Sequence, residues 1–314
     1  MSGAWVDPAP HESKFVRVNG VRLNYLDWGG RGPSLIFIHG LTGSPHNFDD
    51  LAPAFTDRFR VIAYARRCHG LSEMKGHCDE VTVTEDLRCL MDALGIERAH
   101  LAGHSYGGTE LTGIASSHPS RVDRIVYIDA GYDWADPLWK AAMDAWPFEM
   151  ESPESARRSL DAYLEWSKIG GDPKSVRAKW FEPTVRESVI VQPDGSVKPR
   201  RDLAGLEQLL HDMLGNRRRD YSKVRSPALA IYASEFFDEA HVPARRRQKV
   251  HEWEQAYATP LRVQGIDCIR MELRGVRIEN VRANHGDIVV MSEPSVAKLM
   301  RDFLAASPPP LLSR

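Results

Sequence analysis

Short hydrophobic runs alternate with amphipathic stretches over the first 130 residues of the chain. The runs predict buried strands, and the stretches between them, whose apolar residues recur every three or four positions, predict helices. The runs lie at 34–38, 60–64, 99–102 and 124–128, and the helical stretches at about 44–56, 81–94 and 106–118. Strands that alternate with helices in this way favour a parallel sheet with helices on both faces.

A hairpin is predicted ahead of these elements. Residues 15–18 and 21–28 flank the pair Asn19 and Gly20. An Asn-Gly pair between two alternating segments is a strong hairpin signal, because both turn positions need positive φ.

The pattern changes after Asp129. Residues 131–225 show no strong strand pattern and contain the tryptophans Trp134, Trp139, Trp146, Trp166 and Trp180. Predicted strands resume at 228–233 and 276–281, and predicted helices lie at about 244–273, with a break at Pro260, and at 293–306. We therefore expect a core domain in two parts, residues 1–130 and 226–314, interrupted by a mostly helical cap or lid at 131–225.

A glycine-flanked serine follows one of the predicted strands. Residues 103–107 read Gly-His-Ser-Tyr-Gly, directly after the run at 99–102 and before a predicted helix. This sequence alone is weak evidence, but on a strand-to-helix turn it is typical of a nucleophile whose hydroxyl is lifted clear of the sheet. The helix N-terminus there also favours negative charge. We predict Ser105 as a catalytic nucleophile, with a plain glycine turn as the alternative.

A serine hydroxyl needs a base that accepts its proton before it attacks a substrate. Among the twelve histidines, His285 lies just after the last predicted strand and before the last predicted helix. That position places it at the same sheet edge as Ser105. We predict His285 as the general base, with a loop or capping histidine as the alternative.

The acid that orients this histidine has three candidates. Asp129 directly follows the run at 124–128, at the sheet edge where ligands gather in open α/β sheets, while Glu235 and Asp238 follow the run at 228–233. Each candidate satisfies the chain order nucleophile, acid, histidine. Asp129 is favoured, because Glu235 comes slightly early and Asp238 slightly late for an acid after the later strand. The three alternatives stay open at this point.

An oxyanion formed by attack on a carbonyl needs two backbone N–H donors. One is expected to be the amide of Tyr106, directly after the nucleophile. The other is expected from the loop after the run at 34–38, where Leu41 is the favoured donor.

Three segments of this sequence resemble the signature set of the α/β-hydrolase superfamily: His39-Gly40, residues 103–107 and Asn284-His285. The resemblance implies a mostly parallel eight-stranded sheet with helices on both faces, a helical cap, and no cofactor. Residues 66–72 also resemble the family's R-G-H-G-x-S loop, although Cys68 replaces a usual glycine and Ala65 stands where an aspartate is common.

The position of Asp129, 24 residues after Ser105, resembles family members that carry their acid after the sixth strand. These members include zearalenone-type lactonases and haloalkane dehalogenases. Because the nucleophile is a serine and not an aspartate, the resemblance does not imply dehalogenase or epoxide-hydrolase chemistry.

Composition excludes several other classes of protein. The 314 residues suit one large domain with an insertion. The chain has 42% hydrophobic and 27% charged residues, which is ordinary for a globular protein. A net charge of -2 does not favour binding to nucleic acid. Four cysteines without a CxxC pair fit a reducing compartment. No signal-like start or apolar stretch of about 18 residues is present, so a cytoplasmic protein without membrane contact is expected.

Two groups of residues have a second interpretation. Cys68-His69 and His77-Cys78 suggest a metal site, but their spacing is not that of zinc ligands, so no metal is expected. The runs 217–219 and 245–247, each of three arginines, suggest phosphate binding. Charge runs beside helices are usually solvated, and that interpretation is favoured.

These observations predict a serine hydrolase that cleaves a bulky, mostly apolar ester or lactone, with one or two tryptophans of 131–225 lining its pocket. The alternatives are an acyltransferase or carbon–carbon bond hydrolase with the same catalytic residues, and a slow ligand receptor of the same fold. The expected partner is the small-molecule ester or lactone, and a homodimer is left open.

Overall fold

The computed structural model describes residues 5–148, 151–168, 179–201, 207–208, 210–212, 218–290, 292 and 294–305. The described strands are β1 (Glu12–Val18), β2 (Val21–Gly29), β3 (Ser34–Ile38), β4 (Arg60–Tyr64), β5 (Ala99–His104), β6 (Val122–Ile128), β7 (Val189–Val191), β8 (Val197–Pro199), β9 (Ala228–Glu235) and β10 (Arg277–Asn284). The described α-helices are α1 (Glu80–Ala93), α2 (Gly107–Ser117), α3 (Pro137–Asp144), α4 (Glu154–Arg157), α5 (Leu160–Ser167), α6 (Phe181–Glu187), α7 (Ala244–Trp253), α8 (Thr259–Glu272) and α9 (Val296–Ala305).

Eight of these strands form one sheet in the order β1-β2-β4-β3-β5-β6-β9-β10. The strands from β4 to β10 in this order are parallel, and β2 pairs antiparallel with both β1 and β4. The predicted hairpin at Asn19 and Gly20 is present, with φ of 44° and 76° at the two turn residues. The predicted mostly parallel eight-stranded sheet is confirmed.

The central strands are apolar throughout because both faces of the sheet are covered. In β3, Leu35 and Phe37 belong to the core under α9, whereas Ile36 and Ile38 belong to the core under α1 and α2. Side chains alternate between the two faces of a strand, so a strand buried on both faces reads as a continuous apolar run. This packing makes β3 a firm support for the loop that follows it.

Two predicted helices differ from those in the structure, and proline explains the first difference. The predicted helix at 44–56 is instead two 3₁₀ helices, Pro45–Phe48 and Ala52–Phe55, each with a proline in its first turn. Proline cannot donate the backbone hydrogen bond that would continue a helix from the preceding turn. The stretch at 244–273 is not broken at Pro260: a π-helical turn, Glu254–Ala258, joins α7 to α8.

The region 131–225 contains α3 to α6 and also a short hairpin that the sequence analysis missed. The strands β7 and β8 pair antiparallel across a turn that includes Pro193, Asp194 and Gly195. Asp194 accepts a hydrogen bond from the Ser196 amide at 2.9 Å, and Gly195 has a φ of 85°. A Pro-Asp-Gly turn was the available sequence signal. None of the described helices is both long and apolar enough to cross a membrane.

Candidate active site

Ser105 lies in the sharp turn between β5 and α2, and its backbone is left-handed, with a φ of 54°. Its amide donates a hydrogen bond to the Ile128 carbonyl oxygen at 3.1 Å, which ties the turn to the end of β6. A Cβ atom on Gly107 would lie 2.4 Å from the Ile38 carbonyl oxygen, so only glycine allows α2 to start this close to β3. The turn therefore presents the serine hydroxyl at the N-terminus of α2.

His285 directly follows β10 and contacts the serine. Its Nε2 atom lies 2.8 Å from Ser105 Oγ, and its Nδ1 atom lies 2.6 Å from Asp129 Oδ2. The carboxylate can only accept, so Nδ1–H donates to it and Nε2 is left to accept from the serine hydroxyl. All three residues are buried. The structure thus brings the predicted nucleophile, base and favoured acid into one hydrogen-bonded chain.

Asp129 follows β6 with a left-handed backbone, at a φ of 45°. Its second oxygen, Oδ1, accepts hydrogen bonds from the Tyr132 hydroxyl at 2.6 Å and from the Ala233 amide at 3.3 Å. Burial acts to raise the pKa of Asp129, but the hydrogen bonds from His285 and Tyr132 outweigh it and hold the pKa below its ordinary value. The carboxylate therefore stays ionised beside the imidazole.

The two other acid candidates are placed elsewhere. Glu235 ends β9 and pairs with Asn284 of β10 in the sheet register. Asp238 accepts hydrogen bonds from His241 Nδ1 at 2.7 Å and from the Ala240 amide at 3.0 Å. Neither has a hydrogen bond to His285 within the described part of the chain.

The imidazole of His285 is held by groups that the sequence analysis did not single out. The Phe236 ring stacks on it at a centroid distance of 4.1 Å and an interplanar angle of 11°. Glu254, in the π-helical turn, accepts a hydrogen bond from the Phe236 amide at 3.0 Å and so fixes the backbone of that residue. His104 Nε2 donates to the His285 carbonyl oxygen at 2.8 Å, and burial lowers the pKa of His104 to about 3, so His104 stays neutral.

The predicted oxyanion donors lie on either side of the serine. Tyr106 is the N-cap residue of α2, and the first amides of a helix have no intrahelical acceptor. On the other side, a Cβ on Gly40 would lie 2.9 Å from Ser105 Cβ, so the loop that carries Leu41 passes directly beside the nucleophile. Leu41 and Tyr106 also share a small apolar cluster. The arrangement can present two amides to an oxyanion at one place.

A buried arginine braces this loop. Arg66 Nη2 donates to the His39 carbonyl oxygen at 2.8 Å, and Arg66 Nη1 donates to the Gly40 carbonyl oxygen at 3.3 Å. Its Nε atom donates to Glu110 Oε1 at 2.6 Å, and both side chains are fully buried. Because a buried charge needs a partner, the ion pair fixes the guanidinium and through it the loop backbone. The resemblance pointed to residues 66–72, but nothing in the sequence indicated Glu110 as the partner.

The five tryptophans of residues 131–225 divide into two groups. Trp134, Trp139 and Trp146 pack with the core under α1 and α2. Trp134 lies beside Tyr106, with ring centroids 6.3 Å apart, and its ring is 4.3 Å from that of Trp139. Trp166 and Trp180 instead pack against the separate apolar cluster inside the insertion.

One of the arginine runs is not the solvated face that was predicted. Arg219 is 5% exposed and donates to the Ala130 carbonyl oxygen at 2.9 Å. Arg218 is exposed and pairs with Glu272, as a solvated face would, and Arg217 lies outside the described residues. Its guanidinium also donates to the hydroxyl oxygens of Thr109 and Tyr221, so fixed acceptors offset the cost of burying Arg219.

Comparison with known proteins supports the fold described above. Residues 33–162 match the family model described as alpha/beta hydrolase fold. The chain is similar to sn-1-specific diacylglycerol lipase ABHD11 of Mus musculus, with 33% identity over 144 residues that are 44% of this chain and 47% of that protein. The chain thus spans about half the length of this relative.

A second relative covers more of the chain. It is 2-(acetamidomethylene)succinate hydrolase of Mesorhizobium japonicum, with 27% identity over 225 residues that are 70% of this chain and 76% of that protein. A crystal structure of E-2-(acetamidomethylene)succinate hydrolase has a TM-score of 0.67 at 22% identity, and the match covers 94% of this chain and 100% of that one. This structural likeness shows the shared fold.

The hydrogen bonds of Asp129 predict the effect of removing its charge. We expect Asp129→Asn to lower kcat on the order of 10⁴-fold, because the amide would favour the wrong imidazole tautomer. Asp238→Asn and Glu235→Gln are matched controls and should keep kcat within about twofold, since in the described part of the chain neither side chain has a hydrogen bond to His285. Steady-state kinetics on variants with wild-type circular dichroism check this. An inactive Asp238 or Glu235 variant beside an active Asp129→Asn would contradict the assignment.

Proposed function

We propose, given that this chain belongs to the α/β-hydrolase superfamily, that it is a serine hydrolase that cleaves a carboxylic ester or lactone through an acyl-enzyme on Ser105. The observation that carries the proposal is the hydrogen-bonded chain from Ser105 through His285 to Asp129. A hydroxyl, a neutral imidazole and a buried carboxylate in this order are what acyl transfer through a serine requires.

The proposed reaction has two halves. Ser105 Oγ attacks the carbonyl carbon while His285 Nε2 takes the hydroxyl proton, and the oxyanion accepts hydrogen bonds from the Leu41 and Tyr106 amides. The intermediate collapses to the acyl-enzyme as His285 gives its proton to the leaving alkoxide. Water then loses a proton to His285, attacks the acyl carbon and releases the acid, which restores the serine hydroxyl. Asp129 stays ionised throughout and stabilises the imidazolium.

Two aromatic contacts support a bulky, mostly apolar substrate. The Phe236 ring stacks on His285, and the Trp134 ring lies 6.3 Å from the ring of Tyr106, the residue after Ser105. Flat apolar surface of this kind binds hydrocarbon or ring substrates by excluding water. An acyltransferase or a carbon–carbon bond hydrolase would use the same three residues, and a slow receptor would keep them without rapid turnover.

A second candidate substrate class carries a carboxylate, and Arg201 is the reason to consider it. Arg201 Nη2 is buried without a hydrogen-bond partner in the described part of the chain, and burial lowers the pKa of this guanidinium. The side chain borders a cavity of about 270 Å³ that Cys68 and Cys78 also line. A substrate carboxylate would satisfy this desolvated cation. The relative from Mesorhizobium japonicum is named for a substrate of this class, a succinate derivative.

Ser105 is the first residue to test. A fluorophosphonate probe should label Ser105 alone, and Ser105→Ala should lose label and esterase activity together, because loss of the nucleophile typically costs several orders of magnitude in kcat. Mass spectrometry of the labelled protein and ester hydrolysis by both forms provide the measurement. More than about a tenth of wild-type activity in a folded Ser105→Ala protein would exclude this serine as the nucleophile.

The proposed bulky, apolar substrate predicts a dependence on acyl chain length. We expect kcat/KM to rise from acetate to hexanoate esters by up to about fourfold per methylene, which corresponds to about 0.8 kcal/mol per buried CH₂. Trp134→Ala should flatten this slope, whereas Trp166→Ala, a matched change inside the insertion, should not. A steady preference for acetate in the wild type, with no lactone cleaved, would indicate a small-ester hydrolase instead.

The carboxylate-bearing candidate has its own test. Arg201→Met should lower kcat/KM for esters or amides of dicarboxylic acids by about 10- to 100-fold, the value of one lost hydrogen bond to a charged group, and leave neutral esters nearly unchanged. Arg270 of α8, which is exposed and does not line this cavity, supplies the matched control Arg270→Met. If Arg201→Met has the same kcat/KM as the wild type for dicarboxylic substrates, this candidate is excluded and only the neutral, apolar substrate remains.

A further inference from the structure

Two histidines and two aspartates form a cluster between the segment before β1 and the 3₁₀ helix Pro45–Phe48. The proposed reaction does not use this cluster. Asp7 and His11 come from the segment leading into β1, His46 lies in the 3₁₀ helix Pro45–Phe48, and Asp49 is the C-cap residue of that helix. One ligand atom from each residue lies within 4.8 Å of every other. Residues from two distant parts of the chain thus converge on one small volume.

The distances between these atoms are those of a metal-ligand polyhedron. His11 Nε2 lies 3.3 Å from Asp7 Oδ2 and 3.3 Å from Asp49 Oδ1, and His46 Nδ1 lies 3.5 Å from Asp7 Oδ2. A tetrahedron with metal–ligand bonds of about 2.0–2.1 Å has edges of about 3.3–3.4 Å. Three of the edges therefore already match a tetrahedral ion before any rearrangement.

Buried atoms without hydrogen-bond partners face this volume. The His11 side chain is 3% exposed, and within the described residues neither of its ring nitrogens has a hydrogen-bond partner. The Asp49 side chain is 0% exposed, and its Oδ1 atom likewise has no hydrogen-bond partner there. Leaving buried polar atoms without a hydrogen bond costs about 1–3 kcal/mol each, and a cation bound between them would satisfy several of them at once.

A carboxylate outside the four residues orients one of the imidazoles. His46 Nε2 lies 3.1 Å from Glu187 Oε1, so the ring can donate there while Nδ1 faces the other ligand atoms. Histidines that bind metals commonly donate their second ring N–H to a carboxylate in this way. Glu187 is the last residue of α6, so residues 131–225 contribute a side chain that contacts this cluster.

We propose that Asp7, His11, His46 and Asp49 form a structural zinc site. Two imidazole nitrogens and two carboxylate oxygens suit Zn²⁺, and four protein ligands with tetrahedral spacing are typical of structural rather than catalytic zinc. The ion would hold the segment before β1 against the 3₁₀ helix Pro45–Phe48. That helix follows the loop after β3 that carries Leu41, which we call the oxyanion loop. Asp7, at 25% exposure, is the open side through which the ion enters.

The competing arrangement is an ion-pair network without metal. His46 Nδ1 lies 2.8 Å from Asp49 Oδ2, and His46 Nε2 lies 3.1 Å from Glu187 Oε1. The two arrangements differ in metal content, which a binding measurement reads directly.

Metal binding by the full chain tests the proposal. Protein stripped with a chelator is titrated with Zn²⁺ by calorimetry, and Co²⁺ is added to a second sample. We expect about one equivalent of Zn²⁺, a rise in Tm, and the visible absorption of tetrahedral Co²⁺. No stoichiometric binding by the stripped wild type would overturn the proposal.

Variants locate the site. His11→Gln should weaken zinc binding on the order of 100-fold or more, and Glu187→Gln by about 10- to 100-fold, as expected for a ligand and for the group that orients one. His11→Gln is preferred to Asp49→Asn because His11 precedes the edge strand β1, and circular dichroism checks that it folds. The control His77→Gln alters an exposed histidine that pairs with Asp212. Zinc affinity unchanged in His11→Gln, or lost in His77→Gln, would overturn the assignment.

Discussion

Ser105 adopts a backbone conformation, at a φ of 54°, that normally favours glycine, and the geometry of the whole site depends on how the fold stabilises it. Such a conformation costs a side-chain-bearing residue about 1–3 kcal/mol. Two features offset that cost. The Ser105 amide donates a hydrogen bond to the Ile128 carbonyl oxygen, and α2 approaches the end of β3 closely. The strained turn then aims Oγ away from the sheet, towards His285, and places it at the positive end of a helix.

Buried charge organises the surroundings of this turn. Arg66 and Glu110 form an ion pair with no solvent access, and Arg66 uses its other donors on the carbonyl oxygens of His39 and Gly40. Asp129 is equally buried, and its oxygens accept from an imidazole, a phenol and an amide. In each case the desolvation cost is offset by fixed hydrogen bonds, so these groups are already positioned before a substrate arrives.

The oxyanion loop is also connected to the insertion. Ser44, just past that loop, shares a hydrogen bond of 2.8 Å with Thr184 of α6, and His46 contacts Glu187 of the same helix. A shift of α6 would therefore move residues that lie a few positions after Leu41 in the chain. This continuity couples the position of the insertion to the two amides that are proposed to stabilise the oxyanion.

Local patterns determined much of this structure. Short apolar runs indicated the central strands, because burial on both faces of a parallel sheet leaves a continuous apolar run, and helical periodicity indicated most core helices. The Gly-x-Ser-x-Gly turn and the histidine after the last strand indicated Ser105 and His285, because parallel strands end at one sheet edge. Asn19 and Gly20 marked a hairpin, since few other residue pairs accept positive φ at both positions.

The tertiary structure decided what depends on contacts between distant residues. The sequence alone left Asp129, Glu235 and Asp238 as candidates for the acid that orients His285. The packing of β6 beside β9, and of β9 beside β10, brings Asp129 to His285. Tyr132, Phe236, Glu254 and Glu110 carry no motif, so their roles around the imidazole and the oxyanion loop emerge only from the fold. The same holds for His11 and His46, which are 35 positions apart, because no local spacing rule relates residues that meet only when β1 and the 3₁₀ helix pack together.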